Sequence, residues 1–143
     1  MSMDGHVEDR APGTTPGGVG VGFQVIHRRY VPYSHAHYAG NLVDGAYVLA
    51  LFGDVATELL IHTDGDEGLF ASYSDVQFRS ALRGGDVVEV TATLARAGRR
   101  SREIEFAAAV VCRGTPERGA NAAEALAEPL LITTARGTVV APS

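Results

Sequence analysis

The chain has 143 residues and a net charge of −5, enough length for one domain with one core and a poor electrostatic match to nucleic acid. All twelve Lys and Arg positions are arginine, so no amine side chain exists to form an imine and Schiff-base chemistry is excluded. The single cysteine, Cys112, excludes an internal disulfide and a multi-cysteine metal centre, and it suits a reducing compartment.

Residues 1–21 lack the apolar core of a secretory signal and are rich in Gly, Pro, Thr and charge. They read as a disordered arm ahead of a single domain over residues 22–143, with a cytoplasmic location expected. Residues 22–31 predict a short strand that Pro32 stops. Residues 35–41 predict a loop, with Gly40 and Gly45 bracketing the entry to the next element. Residues 43–61 then predict one long helix, apolar in almost every direction through Val48, Leu51, Phe52, Val55, Leu59 and Leu60. Its length approaches that of a membrane span, but Asp44, Asp54 and Glu58 argue for a protein interior. Ionised groups there are costly unless paired or used, which makes these three carboxylates the first functional candidates.

Beyond an acidic turn the hydrophobic period changes from helical to alternating. Residues 69–79 and 87–96 predict the second and third strands, with an Arg-Gly-Gly-Asp turn at 83–86 between them. The fourth strand follows the turn at Ala97-Gly98-Arg99, with Ile104, Phe106, Ala108, Val110 and Cys112 on its apolar face. Residues 114–128 form a polar, alanine-rich excursion with room for a short helix, and residues 130–140 predict the fifth strand. The class is α+β: a curved antiparallel sheet of about five strands wrapped around one buried helix.

Asp44 and Glu58 fall on roughly the same side of the helix, yet fourteen residues of rise separate them by about 21 Å. They can serve one small substrate only if two chains meet, as a symmetric dimer with antiparallel helices allows. Asp54 lies one turn from Glu58 and could replace it or hold its partner. The plainer reading of Asp44 is a charge that favours the helix dipole. His35 and His37 have a spacing open to metal ligation, but no third ligand follows, so a hydrogen-bonding or orienting histidine is the expectation. His27 and His62 read as ordinary surface or core residues. Arg96, Arg99, Arg100 and Arg102 surround one turn, either as a solvated hairpin tip or as a phosphate clamp. No phosphate-binding glycine loop is present. Cys112 reads as inert core.

The segments A-H-Y-A-G-N-L-V-D-G-A, L-F-G-D-V-A-T-E-L-L, D-G-D-E-G-L-F and E-P-L-L-I-T-T-A-R-G-T-V-V-A-P resemble the hot-dog-fold ammonia lyases that act on β-alanyl-CoA and 3-aminobutyryl-CoA. The resemblance spans residues 34–142. It implies a homodimer, extended in some members to a tetramer or hexamer, with two composite sites at the seam. An acyl-CoA thioester would lie across the helix start of one chain and meet a carboxylate from the other. Related thioesterases carry an asparagine near His37 and an acid near Gly53 or Asp54. The histidine here argues against thioester hydrolysis.

Under that resemblance the expected roles are Glu58 as a general base of raised pKa and Asp44 as partner of the amino group, or the two exchanged. His37 would orient the thioester or relay a proton. The amides of Gly45 and Ala46, with Asp54, would surround the substrate, and the arginine turn would hold the coenzyme A phosphates. No metal and no cofactor beyond the substrate's own coenzyme A is expected. Hydration of an enoyl-CoA, hydrolysis of an acyl-CoA and non-catalytic binding of an acyl thioester are the rival expectations.

Overall fold

Strands that alternate apolar and polar residues build a sheet with one dry face and one wet face. In the computed structural model, which describes residues 13–142, the elements run β1 (Gln24–Tyr30), β2 (Leu42–Val43), α1 (Gly45–Asp64), β3 (Leu69–Phe78) and β4 (Leu82–Arg83), then β5 (Val87–Ala97), β6 (Ser101–Gly114) and β7 (Ala123–Val140). Five of the strands form one antiparallel sheet in the order β1-β5-β6-β7-β3, while β2 and β4 make a separate two-stranded ribbon. The expected sheet wrapped around one long helix is what the chain forms.

The predicted inward faces are observed over Val88 to Leu94 and Ile104 to Val110. Val88, Val90, Ala92 and Leu94 of β5 and Ile104, Phe106, Ala108 and Val110 of β6 are all buried. Onto them α1 lays Val48, Phe52, Val55, Leu59 and Leu60, and the ring of Phe52 stacks on Phe106 with centroids 4.8 Å apart. Gly137 of β7 lies where the rings of Phe70 and Phe106 fill the space a Cβ would need. Burying this many aliphatic and aromatic side chains supplies the main stabilising term of the fold.

The helix starts two residues later than predicted and runs one turn further. Asp44 is its N-cap residue, and Gly65 ends it in the left-handed region at φ 65°, donating its N–H to the Ile61 carbonyl at 2.9 Å. It is also less enveloped than its composition suggests. Ala46, Ala50, Asp54 and Ile61 form an exposed strip, so the helix has an open side. By length and composition it could cross a membrane, but its apolar face is the core of this sheet.

Three other expectations change. The excursion at 114–128 holds only a single 3-10 turn (Pro116–Arg118), and β7 begins at Ala123, well before the predicted start. Pairing with β6, which sets Gly114 opposite Ala123 and Cys112 opposite Ala125, overrides the weak strand propensity of alanine and glutamate. Cys112, expected in the core, is half-buried. Of the expected disordered arm, residues 1–12 lie outside the described residues. From Gly13 onward the chain is built into the fold: Gly17 donates its N–H to Thr63 at 2.7 Å and Thr15 is buried.

Both outer strands present large apolar side chains. On β3, Leu69 is 73% and Phe78 58% exposed; on β1, Ile26 and Tyr30 are also exposed. A sheet edge of that composition invites pairing with another chain.

Candidate active site

The local chain path brings the first half of the candidate site together. Leu42 of β2 pairs with Arg83 of β4, and Asn41, in the left-handed region at φ 61°, donates its Nδ2 hydrogen to the Gly84 carbonyl at 2.9 Å. This fixes the approach to Asp44. The amides of Gly45 and Ala46 open the helix, where α-helical geometry provides no acceptor and the dipole is positive. Asp44 makes no side-chain capping bond, so its carboxylate is not spent on the helix start. A cavity of about 180 Å³ opens there, lined by Asp44, Gly45, Val48, Phe78 and Thr133. The Phe78 ring lies where a Cβ at position 45 would sit, so any side chain there would push that wall aside.

His37 places Nε2 3.6 Å from Asp44 Oδ1, close enough to exchange a proton after a small movement. Its ring lies against Tyr38, whereas His35 lies against Tyr47 with centroids 4.5 Å apart. Among the described residues no three His, Cys, Asp or Glu side chains gather in a metal-ligating arrangement.

Three to four turns further along the helix, Glu58 is in a different condition from the one expected. Its Oε1 accepts a hydrogen bond from His27 Nε2 at 2.8 Å, and its Oε2 accepts one from His62 Nε2 at 3.2 Å. These two donors hold its carboxyl below the ordinary carboxylate range, His27 contributing most, against a smaller upward push from burial. The raised pKa expected of a general base is therefore not met. Asp54 instead opens on a cleft of about 250 Å³ beside Gly53, Thr57, Glu67 and Phe70. Nearby, Tyr73 donates its phenol hydrogen to the Leu49 carbonyl at 2.6 Å, and burial pushes that phenol up to about 12, helped by the Asp54 charge.

The arginine turn does not act as a unit. The Nε and Nη2 groups of Arg102 grip Asp64, while Nη1 donates to the carbonyls of Gly98 and Ser101. That guanidinium is spent on closing the helix end and is not available to a phosphate, which corrects its expected role. Arg96 pairs with Glu103 at 2.7 Å. Arg99 and Arg100 are exposed and make no ion pair among the described residues. All four stand at the Asp64 end of α1, about 28 Å from its start.

The residues that sequence reasoning passed over are His27 and His62. The spacing of Glu58 and His62, one helical turn, was a readable signal. The approach of His27 was not, because it depends on how β1 crosses the helix.

A sheet of five antiparallel strands closed over one central helix, with a cavity at the helix start, defines a hot-dog protein. A model of the thioesterase superfamily matches residues 40–114. The 3-aminobutyryl-CoA ammonia lyase of Acetoanaerobium sticklandii is 46% identical over 107 residues, covering 75% of this chain and 85% of that one. The structure of β-alanyl-CoA:ammonia lyase from Clostridium propionicum superposes with a TM-score of 0.79 at 34% identity, over 84% of this chain and 85% of that one. A hexameric hotdog fold thioesterase of Campylobacter jejuni shares the fold alone, with a TM-score of 0.68 at 14% identity over 82% and 81% of the two chains. The chain belongs to the thioesterase superfamily and, within it, to the family of the β-aminoacyl-CoA ammonia lyases.

Proposed function

We propose that this protein is a carbon–nitrogen lyase that interconverts a β-aminoacyl-CoA, of the 3-aminobutyryl or β-alanyl type, with the corresponding enoyl-CoA and ammonia. The observation that carries the reading is the carboxylate of Asp44, free of any capping bond and 3.6 Å from His37, standing beside the amides that open the helix.

In the elimination a base removes the Cα proton, the electron pair of that bond forms the C=C double bond, and the C–N bond breaks with its pair going to nitrogen. Ammonia leaves neutral from the ammonium group, and the proton stays on the base. The thioester oxygen gains negative charge on the way, and donors preorganised for that charge lower the barrier. Because Cα is bonded to the carbonyl carbon, the base has to stand beside the oxyanion donors. Asp44 adjoins Gly45 and Ala46, so we assign the base to Asp44 and the ammonium to the acids of the mid-helix, with the expected roles exchanged. We take His37, 3.6 Å from Asp44, as the group that carries the proton onward.

Glu58 of the same chain is about 21 Å from Asp44, so the second acid comes from a partner chain. A homodimer with antiparallel helices supplies it, and the small exposed residues Ala46 and Ala50 let two helices approach closely. That arrangement sets Arg99 and Arg100 of one chain toward the helix start of the other, where coenzyme A phosphates would lie. Asp54 flanks the acyl group. Assembly to a tetramer or hexamer and a cytoplasmic location belong to the same proposal. The chemistry uses side-chain carboxylates and backbone amides, so no further cofactor is invoked.

The test is direct. Purified protein given 3-aminobutyryl-CoA should release ammonia and enoyl thioester in equal amounts. Release of free thiol without ammonia would mark a hydrolase, and thermal protection by the thioester without any product would mark a binding protein.

A further inference from the structure

Glu58 is a carboxylate with both oxygens already engaged and still half open to solvent, its side chain 46% exposed against 17% for His27. The neighbours fix the His27 tautomer. Arg29 Nη2 can only donate, and it reaches His27 Nδ1 at 3.3 Å; a carboxylate can only accept. Nδ1 is therefore the side that accepts, and Nε2 carries the hydrogen that His27 donates to Glu58. The His62 ring is steadied by Phe23, with centroids 5.2 Å apart.

A carboxylate offers about four lone-pair sites, so two imidazole bonds leave about two unused. Donors that favour the charged form make Glu58 a poor base and a persistent anion. A persistent, half-exposed anion is suited to an ammonium group, which has three donors and no acceptor. A neutral hydroxyl at the same carbon gains much less from a fixed charge.

We propose that His27 and His62 clamp Glu58 as the receptor for the β-ammonium group, and that these three residues set the preference for an amino over a hydroxyl substituent at the β-carbon. The inference rests on the reading that a β-aminoacyl thioester lies across the partner's helix start. In it Glu58 touches the substrate, and His27 and His62 are positioning residues.

The experiment compares the full-length wild type with His27→Phe, His62→Phe, His27→Gln, His62→Gln and Glu58→Gln. It reads kcat and KM for ammonia release from 3-aminobutyryl-CoA, and Ki for 3-hydroxybutyryl-CoA as a competing ligand. Phenylalanine keeps a flat ring without the donor, while glutamine restores an N–H at the reach of Nε2. The expected result for each phenylalanine variant is a KM for the amino thioester raised about tenfold, with kcat little changed and the hydroxy Ki unmoved, since a charge-assisted bond is lost. The glutamine variants recover most of that loss. Glu58→Gln, nearly isosteric, gives a larger shift in the same direction and does not depend on the histidine variants folding. An unchanged ratio of amino KM to hydroxy Ki in the phenylalanine variants and in Glu58→Gln overturns the inference while the lyase reading stands. A fall in affinity for both ligands alike also overturns it. A wild type that releases no ammonia removes the lyase reading and this inference with it.

Discussion

Arg102 closes the far end of the helix on Asp64, Nε to Oδ2 at 3.0 Å and Nη2 to Oδ1 at 2.7 Å, with both side chains at most 5% exposed. A pair this deeply buried is costly to break because the surviving partner is left charged and unpaired. Arg102→Ala is expected to lose about 3–5 kcal/mol of stability by urea denaturation. Arg99→Ala and Arg100→Ala, on the solvent side of the same turn, should stay within about 0.5 kcal/mol of wild type. Their effect should appear instead as a raised KM for the coenzyme A thioester, which steady-state kinetics against a pantetheine thioester would separate.

At the other end of the helix, Asp44→Asn removes the proposed base and leaves the shape of the cavity intact. A loss of about 10²–10⁴ in kcat is expected, the usual worth of a positioned general base, with KM changed far less. His37→Ala should cost less than Asp44→Asn, because His37 acts through it.

Tyr73 provides an alkaline signature. Its phenol is raised from 10.0 to about 12 by burial, so the folded state prefers the neutral form more strongly than the unfolded state does. The stability it contributes is complete below the unfolded value near 10 and is lost as pH rises through about 12. Ultraviolet titration should show one phenol ionising late, together with unfolding. Tyr73→Phe should abolish that late phase, at a cost of about 0.5–1.5 kcal/mol for the lost bond to Leu49.

Glu58 works in the opposite sense. Its folded pKa lies below the unfolded value, so its contribution is present above the unfolded carboxylate range and disappears as pH falls through the depressed folded value. Melting temperature measured from pH 6 downward should fall less steeply in Glu58→Gln than in wild type.

The parts of this fold that could be read in advance are those where one local rule decides. The alternation of Val88, Val90, Ala92 and Leu94 against the polar residues between them sets a strand and its inward face without outside help. The early start of β7 could not be read, because Ala123 and Ala125 become strand only by lying against Gly114 and Cys112. Among the site residues, Asp44 was legible as the acid at a helix start. Arg102 and Arg100 look alike in sequence, and what separates them is that Asp64 lies beneath one of them. His27 carries no sequence mark at all. Its partner is Glu58, thirty-one residues away, and only the crossing of β1 over α1 brings the two together.

The most direct measurement is subunit complementation. Asp44→Asn and Glu58→Ala protein, each impaired alone in kcat/KM, are unfolded, mixed in equal amounts and refolded together. If each site draws Asp44 from one chain and Glu58 from the other, half the dimers are mixed and each of those has one intact site. About a quarter of wild-type activity should then return, as the symmetry of a two-fold seam requires. A mixture no more active than the average of its parents would place both acids in the same chain's site, or one of them in neither, and would contradict the shared-site account.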